Sequence, residues 1–192
     1  MIKPFKGDFV MTQGFGQNFN DFYKKEGKKG HGGVDWAMPN GTPIIAPCDG
    51  EVIFTSDPES SKRTGWGVTI LSYEVFKYKD KDVRLSCLHA HLKEGSLKVK
   101  RGDKVKQGQL IAESNNTGQT TGPHLHFAIA PLNLDRTPVE PDNGYAGYVD
   151  PLPFLNERFK ALQRLLNDYG ANLVVDGKWG PKSQAALEEF LL

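Results

Sequence analysis

Residues 122–129 read Gly122-Pro123-His124-Leu125-His126-Phe127-Ala128-Ile129. A Gly-Pro turn leads directly into an apolar run, which is typical of a β-strand entered from a tight turn. In a strand, side chains two residues apart point to the same side, so His124 and His126 should face one space. The stretch therefore predicts a strand that carries two neighbouring imidazoles on one face.

The same kind of pattern extends over residues 42–130, where short β-branched runs alternate with turn residues. Clear examples lie at 51–55, 67–71 and 109–112. Turn signals at this spacing are typical of antiparallel β structure. The predicted fold class is therefore mainly β, an antiparallel β core, with a small α-helical module at the C-terminus.

Residues 154–192 change to a helical period. One apolar stripe, with Asn156 as its predicted N-cap, is formed by Leu155, Phe159, Leu162 and Leu166. After a turn over 174–180, Pro181 suits the first position of a second helix, whose stripe is Ala186, Leu187, Phe190 and Leu191. We predict two domains, residues 1–153 and 154–192, of which the second is too small for much stability alone.

Composition and charge exclude several classes of protein. The chain has 192 residues, 38% of them hydrophobic, which is enough for one medium domain and an appendage. A net charge of +1 gives no electrostatic case for nucleic acid. No segment resembles a signal peptide or approaches the ~18 apolar residues of a membrane span, so no membrane partner is expected. Without a coiled-coil pattern or a large apolar edge, the predicted state is a monomer.

The two cysteines, Cys48 and Cys87, both lie in apolar runs. They do not form a C-x-x-C pair, so a thiolate zinc site is not expected. Two buried free thiols are predicted, and nothing in the spacing demands a disulfide.

The five histidines are the most informative feature of the sequence. His31 is followed four residues later by Asp35, and two intervening glycines make a helix unfavourable. In an extended segment these two side chains face the same space. His89 and His91 repeat the two-residue spacing of the later pair.

This residue set suits a catalytic metal. Imidazole nitrogen and carboxylate oxygen are zinc ligands, and a catalytic zinc keeps three protein ligands and one position for water. Zinc lowers the pKa of that water to near 7, and neighbouring histidines can take its proton or stabilise an oxyanion. Five histidines and one aspartate exceed three ligands, and this surplus favours a hydrolase over a structural zinc site.

The order and spacing of these motifs resemble the lysostaphin-type zinc peptidase family over roughly residues 8–152. The resemblance is carried by residues 31–39, which begin His31-Gly32-Gly33-Val34-Asp35, and by residues 120–127. Further family-like stretches lie at 41–44, 49–52 and 102–109. The resemblance implies that His31, Asp35 and His126 bind zinc and that His124 is catalytic.

The resemblance also implies a second catalytic histidine, within a Tyr-x-His-Leu pattern. His91-Leu92 matches this pattern, so His91 takes the role. The tyrosine position is occupied by His89, for which two roles are open: orienting His91 or filling the site.

The implied function is a zinc-dependent metalloendopeptidase that hydrolyses the stem peptides or cross-links of bacterial peptidoglycan. Residues 162–166 and 176–181 resemble half of a peptidoglycan-binding module. With no signal peptide, the chain is interpreted as an antimicrobial phage endolysin, made in the host cytoplasm and released at lysis to act on the cell wall. A bacterial enzyme that remodels the wall from the extracellular or periplasmic side is the alternative.

Two rival functions are less favoured. Residues 102–109 also resemble a lipoyl or biotinyl carrier, but the following turn at 113–116 lacks the acceptor lysine. The other rival is a catalytically inactive relative that binds the wall or activates an amidase. The complete set of predicted metal ligands argues against it.

Overall fold

The computed structural model of the chain describes residues 1–57, 59–155, 157–175, 177 and 180–191. Within them the strands are Met11–Gln13 (β1), Val34–Ala37 (β2), Pro43–Ile45 (β3), Gly50–Thr55 (β4), Trp66–Ser72 (β5), Phe76–Tyr78 (β6), Lys81–Leu92 (β7), Lys104–Val105 (β8), Leu110–Glu113 (β9) and His124–Leu132 (β10). The α-helices are Phe22–Lys25 (α1), Ser61–Thr64 (α2), Glu157–Asp168 (α3) and Pro181–Phe190 (α4). The predicted N-cap Asn156 and the turn residues Asp176, Lys178 and Trp179 lie outside the described residues.

The main sheet is antiparallel and has the strand order β1-β2-β10-β7-β5-β4-β8, with β6 paired to β7. A second sheet contains β3 and β9. The strands predicted at 51–55, 67–71, 109–112 and 124–129 correspond to β4, β5, β9 and β10. The predicted antiparallel, mainly β fold class is therefore confirmed.

β10 lies between β2 and β7 and separates the core from a polar face. Leu125, Phe127 and Ile129 are completely buried. His124 and His126 alternate with them and are partly exposed. Since successive side chains of a strand point to opposite faces, the predicted pairing of the two imidazoles on one face is confirmed.

The chain contains two compact units, Pro4–Pro151 and a smaller one formed by Met1–Lys3 and Leu152–Leu192. In the smaller unit a buried glutamine links the helices: the Gln163 side chain accepts a hydrogen bond from Gly177 N at 2.8 Å and donates to Ser183 Oγ at 3.4 Å. None of the helices in the described ranges has the length and apolar character needed to cross a bilayer.

The two predicted C-terminal helices are present, but their predicted apolar stripes are only partly buried. Leu155 and Leu166 are buried, whereas Phe190 and Leu191 are exposed. On α4 the buried residue is Ser183, because its small side chain packs against Gln163 of α3. Periodicity alone weighs apolar residues and could not find this polar contact.

Cys48 and Cys87 are both buried and free, as predicted. A hydrogen bond with Cys48, together with burial, raises the pKa of the Cys87 thiol. Neither thiol therefore has the electropositive, exposed surroundings of a reactive cysteine.

Candidate metal centre

Strands β2 and β10 bring an aspartate and a histidine side by side. Asp35 is paired directly with His126, and opposite residues of antiparallel strands share a face. His31 precedes β2, and its ring centroid lies 4.9 Å from that of His126. The close packing of this loop against β10 requires glycine at position 33, because a Cβ there would lie 2.5 Å from Phe127 O and 2.8 Å from His126 Cε1.

Three potential ligand atoms converge at this place. His31 Nε2 lies 2.9 Å from His126 Nδ1 and 3.2 Å from Asp35 Oδ1, and His126 Nδ1 lies 2.9 Å from Asp35 Oδ1. Atoms bound tetrahedrally to zinc at about 2.0–2.1 Å are about 3.3 Å apart, so only a small adjustment is needed. Among the described residues, this is the one group of three His, Cys, Asp or Glu side chains that could hold a metal ion.

The protonation of these side chains also suits a metal. His31 Nδ1 lies 3.2 Å from Gly14 O, and because a carbonyl only accepts, Nδ1 carries a proton. In the neutral tautomer that a metal binds, Nε2 is then the ring atom with a lone pair. Burial opposes ionisation of Asp35, but its hydrogen bonds to His126 and His31 outweigh this and hold its pKa well below the ordinary value. Burial lowers the pKa of His126. A carboxylate oxygen and imidazole nitrogens form a donor set that zinc prefers.

His124 flanks the three-residue group on the same face of β10. Its Nε2 lies 3.8 Å from Asp35 Oδ1. Its Nδ1 is 2.8 Å from Gly122 O and therefore donates to that carbonyl. In the neutral ring, Nε2 is then the atom that carries a lone pair, on the side of the Asp35 carboxylate.

His91 reaches the same group from β7. Its ring centroid lies 4.6 Å from that of His124 and 5.9 Å from that of His126. Its Nδ1 donates to Thr117 O at 2.8 Å, which leaves a lone pair on Nε2. Burial lowers the pKa of His91 to about 4, so the ring is neutral at pH 7.

His89 lies on the opposite face of the sheet. It is completely buried, its ring centroid is 5.1 Å from that of Phe127, and its Nδ1 is 3.1 Å from Val68 O. Although His89 and His91 have the same two-residue spacing as His124 and His126, their side chains lie on opposite faces, because β7 changes register after His89. The ring of His89 thus packs in the core, and the two roles left open for it, orienting His91 and filling the site, stay predictions.

Sequence reasoning missed three groups around the site. The Gly14 and Thr117 carbonyls orient His31 and His91, and a backbone carbonyl leaves no signature in a sequence. Tyr23 lies with its ring 5.6 Å from that of His31, and burial, with the nearby Asp35 charge, raises its pKa to about 12. Its only signal was an aromatic residue in the loop-rich N-terminal segment.

Comparison with known proteins gives a consistent result. The sequence model described as Peptidase family M23 matches residues 29–141. Peptidoglycan DD-endopeptidase ShyA of Vibrio cholerae is 34% identical over 99 residues, which cover 52% of this chain and 20% of that protein. Glycyl-glycine endopeptidase ALE-1 of Staphylococcus capitis is 32% identical over 125 residues, which cover 65% of this chain and 29% of that protein.

A solved structure is similar as well. The catalytic domain of the antimicrobial peptidase lysostaphin from Staphylococcus simulans has a TM-score of 0.55 and 27% identity. The match covers 76% of this chain and 91% of that one. The chain spans only 20% to 30% of the length of the first curated relatives that it matches.

Proposed function

Because this chain belongs to peptidase family M23, a family of metallo-endopeptidases, we propose that it is a zinc-dependent endopeptidase that cuts bacterial peptidoglycan. Its substrates are peptide bonds in the stem peptides or cross-links. One observation carries the proposal: His31 Nε2, Asp35 Oδ1 and His126 Nδ1 converge within 3.2 Å of one another. Structural zinc sites are almost always closed by four protein ligands, whereas catalytic sites use three.

In this proposal His31, Asp35 and His126 hold the zinc ion. When bound, zinc acts as a Lewis acid that lowers the pKa of water to near 7 and polarises a carbonyl. The Gly14 carbonyl keeps His31 in the tautomer whose Nε2 can be a ligand. The Asp35 carboxylate supplies the negative charge in the ligand set.

His91 and His124 handle protons beside the ligands. In each ring Nδ1 donates a hydrogen bond to a backbone carbonyl, so that the neutral imidazole has its lone pair on Nε2. A neutral imidazole can accept the proton of an attacking water at Nε2 and return it to the departing amine. Once protonated, it also stabilises negative charge on the carbonyl oxygen of the substrate.

Substitutions should separate these two roles. Asp35→Ala and His126→Ala should lose zinc and hydrolysis together, because each removes a ligand. His91→Ala and His124→Ala should keep stoichiometric zinc and lose about 100-fold or more in kcat, the usual range for a proton-transfer group. Zinc content by atomic emission and release of soluble wall fragments are the two measurements.

The assay includes its own controls. Activity removed by a chelator should return on addition of zinc, which links the metal to turnover. Full activity of His124→Ala would refute the proton-transfer role. A wild-type protein that pellets with cell wall but holds no zinc would instead be the inactive wall-binding relative.

The bond that is cut needs a separate experiment. The names of two of the relatives given above indicate different bonds: ShyA is a DD-endopeptidase, and ALE-1 is a glycyl-glycine endopeptidase. Mass spectrometry of fragments released from directly cross-linked wall and from glycine-bridged wall will identify the bond. Fragments from neither wall would contradict the proposal.

A further inference from the structure

His91 lies in a β-bulge near the end of β7. Val68 of β5 is paired with His89, and Trp66 is paired with Leu92, so a two-residue step on β5 spans three residues on β7. His91 has φ of +63°, the left-handed region that residues with a side chain rarely adopt. Such a conformation persists only where the surrounding structure enforces it.

The bulge determines which face of the sheet His91 occupies. β10 pairs His126 with Ala90 and Phe127 with His89, so Ala90 shares the face of the metal centre and His89 shares the core face. By strict alternation His91 would follow His89 into the core. Its ring is instead 5.9 Å from that of His126, because bulges redirect side chains.

Thr117 holds this conformation from outside the sheet. Its carbonyl accepts the hydrogen bond from His91 Nδ1 at 2.8 Å. Its Oγ1 donates to Leu92 O at 2.7 Å and accepts from Trp66 N at 3.0 Å, at the position where the bulge shifts the register. Gly65 packs so closely that a Cβ there would lie 2.2 Å from Thr117 O.

We propose that Thr117 is a positioning residue for catalysis, which keeps His91 in its bulged conformation and in the Nδ1-protonated tautomer. This inference rests on the proposed function, in which His91 transfers protons through Nε2. The Oγ1 hydrogen bonds fix the backbone of residue 117, and its carbonyl in turn fixes the imidazole. Without these bonds, the carbonyl and the ring are free to move apart, and a displacement of about 1 Å can cost 100-fold in rate.

The test compares two substitutions at one position. Thr117→Val keeps the shape of the side chain but removes both hydrogen bonds of Oγ1, whereas Thr117→Ser keeps a hydroxyl that can make both. We expect Thr117→Val to keep its zinc and lose about 10- to 100-fold in kcat with little change in KM, and Thr117→Ser to stay within about 3-fold of wild type. Equal activity of Thr117→Val and wild type would overturn the proposal.

A double substitution distinguishes positioning from a general structural effect. If Thr117 acts through His91, adding Thr117→Val to His91→Ala should cause no further loss of kcat. The same fold-loss in both backgrounds would refute the positioning role. A His91→Ala protein as active as wild type would instead refute the proposed function of His91.

The tautomer supplies a readout that does not require activity. Nitrogen-15 NMR of labelled histidine in the zinc-loaded protein should show His91 protonated at Nδ1 in wild type and Thr117→Ser. Thr117→Val, or the smaller Thr117→Ala if valine prevents folding, should show a mixture of tautomers. An unchanged Nδ1-protonated signal in these variants would contradict the proposal even if the protein hydrolysed nothing.

Discussion

The carbonyl facing each imidazole determines which of its nitrogens is available. In His31, His91 and His124 a backbone carbonyl accepts from Nδ1, so in the neutral ring the lone pair is on Nε2. In His126 the atom beside the Asp35 carboxylate is Nδ1 itself, at 2.9 Å. Ring chemistry in this site is therefore controlled by main-chain geometry as much as by residue type.

His89 should make the stability of the protein depend on pH. Burial, opposed by hydrogen bonds to the Val68 and Cys87 backbone, lowers its pKa from 6.5 to about 4. As the pH falls, the unfolded chain therefore binds the proton before the folded chain does. The contribution of neutral His89 to stability is complete above pH 6.5 and is lost between pH 6.5 and about pH 4. From pH 7 to pH 5 this single group should lower the free energy of unfolding by about 2 kcal/mol.

The comparison is with His89→Asn, which retains a donor for Val68 O and does not titrate. The free energy of unfolding, measured with urea, should change between pH 7 and pH 5 by about 2 kcal/mol less in the variant than in wild type. All other titrating groups are common to the two proteins, so their contributions cancel. Identical pH dependence would mean that His89 is not held neutral in the core.

At the scale of elements, the junction between the loop before β2 and strand β10 should tolerate no added methyl group. In Gly33→Ala the new Cβ would meet Phe127 O at 2.5 Å and His126 Cε1 at 2.8 Å. We expect a loss of about 1–3 kcal/mol in stability, because a packed backbone must shift. Zinc affinity should fall as well, since one of the ligands is displaced.

Gly122→Ala is the matched control, because a Cβ there meets nothing within 4 Å and Gly122 keeps the carbonyl that orients His124. Thermal unfolding and zinc titration of both variants are the measurements. A Gly33→Ala protein that matches Gly122→Ala in both would show that β10 moves freely away from the loop.

Regular strands and helices could be predicted because their geometry fixes the spacing of the side chains that share a face. β10 is regular, so the two-residue spacing placed His124 and His126 on one face, beside Asp35. The same rule failed for His89 and His91, since an inserted residue reverses the alternation. A bulge is set by pairing with neighbouring strands, which no local pattern contains.

The contacts that orient the site were beyond sequence reasoning for a related reason. Thr117 is separated from His91 by 26 residues and touches it through a carbonyl, which every residue possesses. In the C-terminal unit, Gln163 and Ser183 are buried in place of apolar side chains because their polar groups bond to each other. Hydrophobic periodicity could not single out either contact.

At the scale of the whole molecule, we expect hydrolysis and wall binding to separate. Every proposed ligand and catalytic side chain lies within Pro4–Pro151. A chain ending at Pro151 should therefore keep zinc and hydrolyse a soluble peptide fragment at near wild-type rate. It should lose binding to purified wall, if the C-terminal unit acts as the peptidoglycan-binding module that part of its sequence resembles.

Pelleting with wall is best measured in the His124→Ala background, in which both chain lengths leave the wall undigested. Retained pelleting of the shorter chain would assign wall binding to Pro4–Pro151 instead. Interpretation as a phage endolysin stays a prediction, and lysis of intact bacteria by the added full chain is the assay for it.

Because Cys48 and Cys87 are both buried, we expect neither thiol of the folded chain to react with maleimide dyes. A single cysteine engineered on the surface would consequently take up one fluorophore at one known position. Attached near the rim of the histidine cluster, that label would report docking of wall fragments in real time, without removal of any natural residue from the interior.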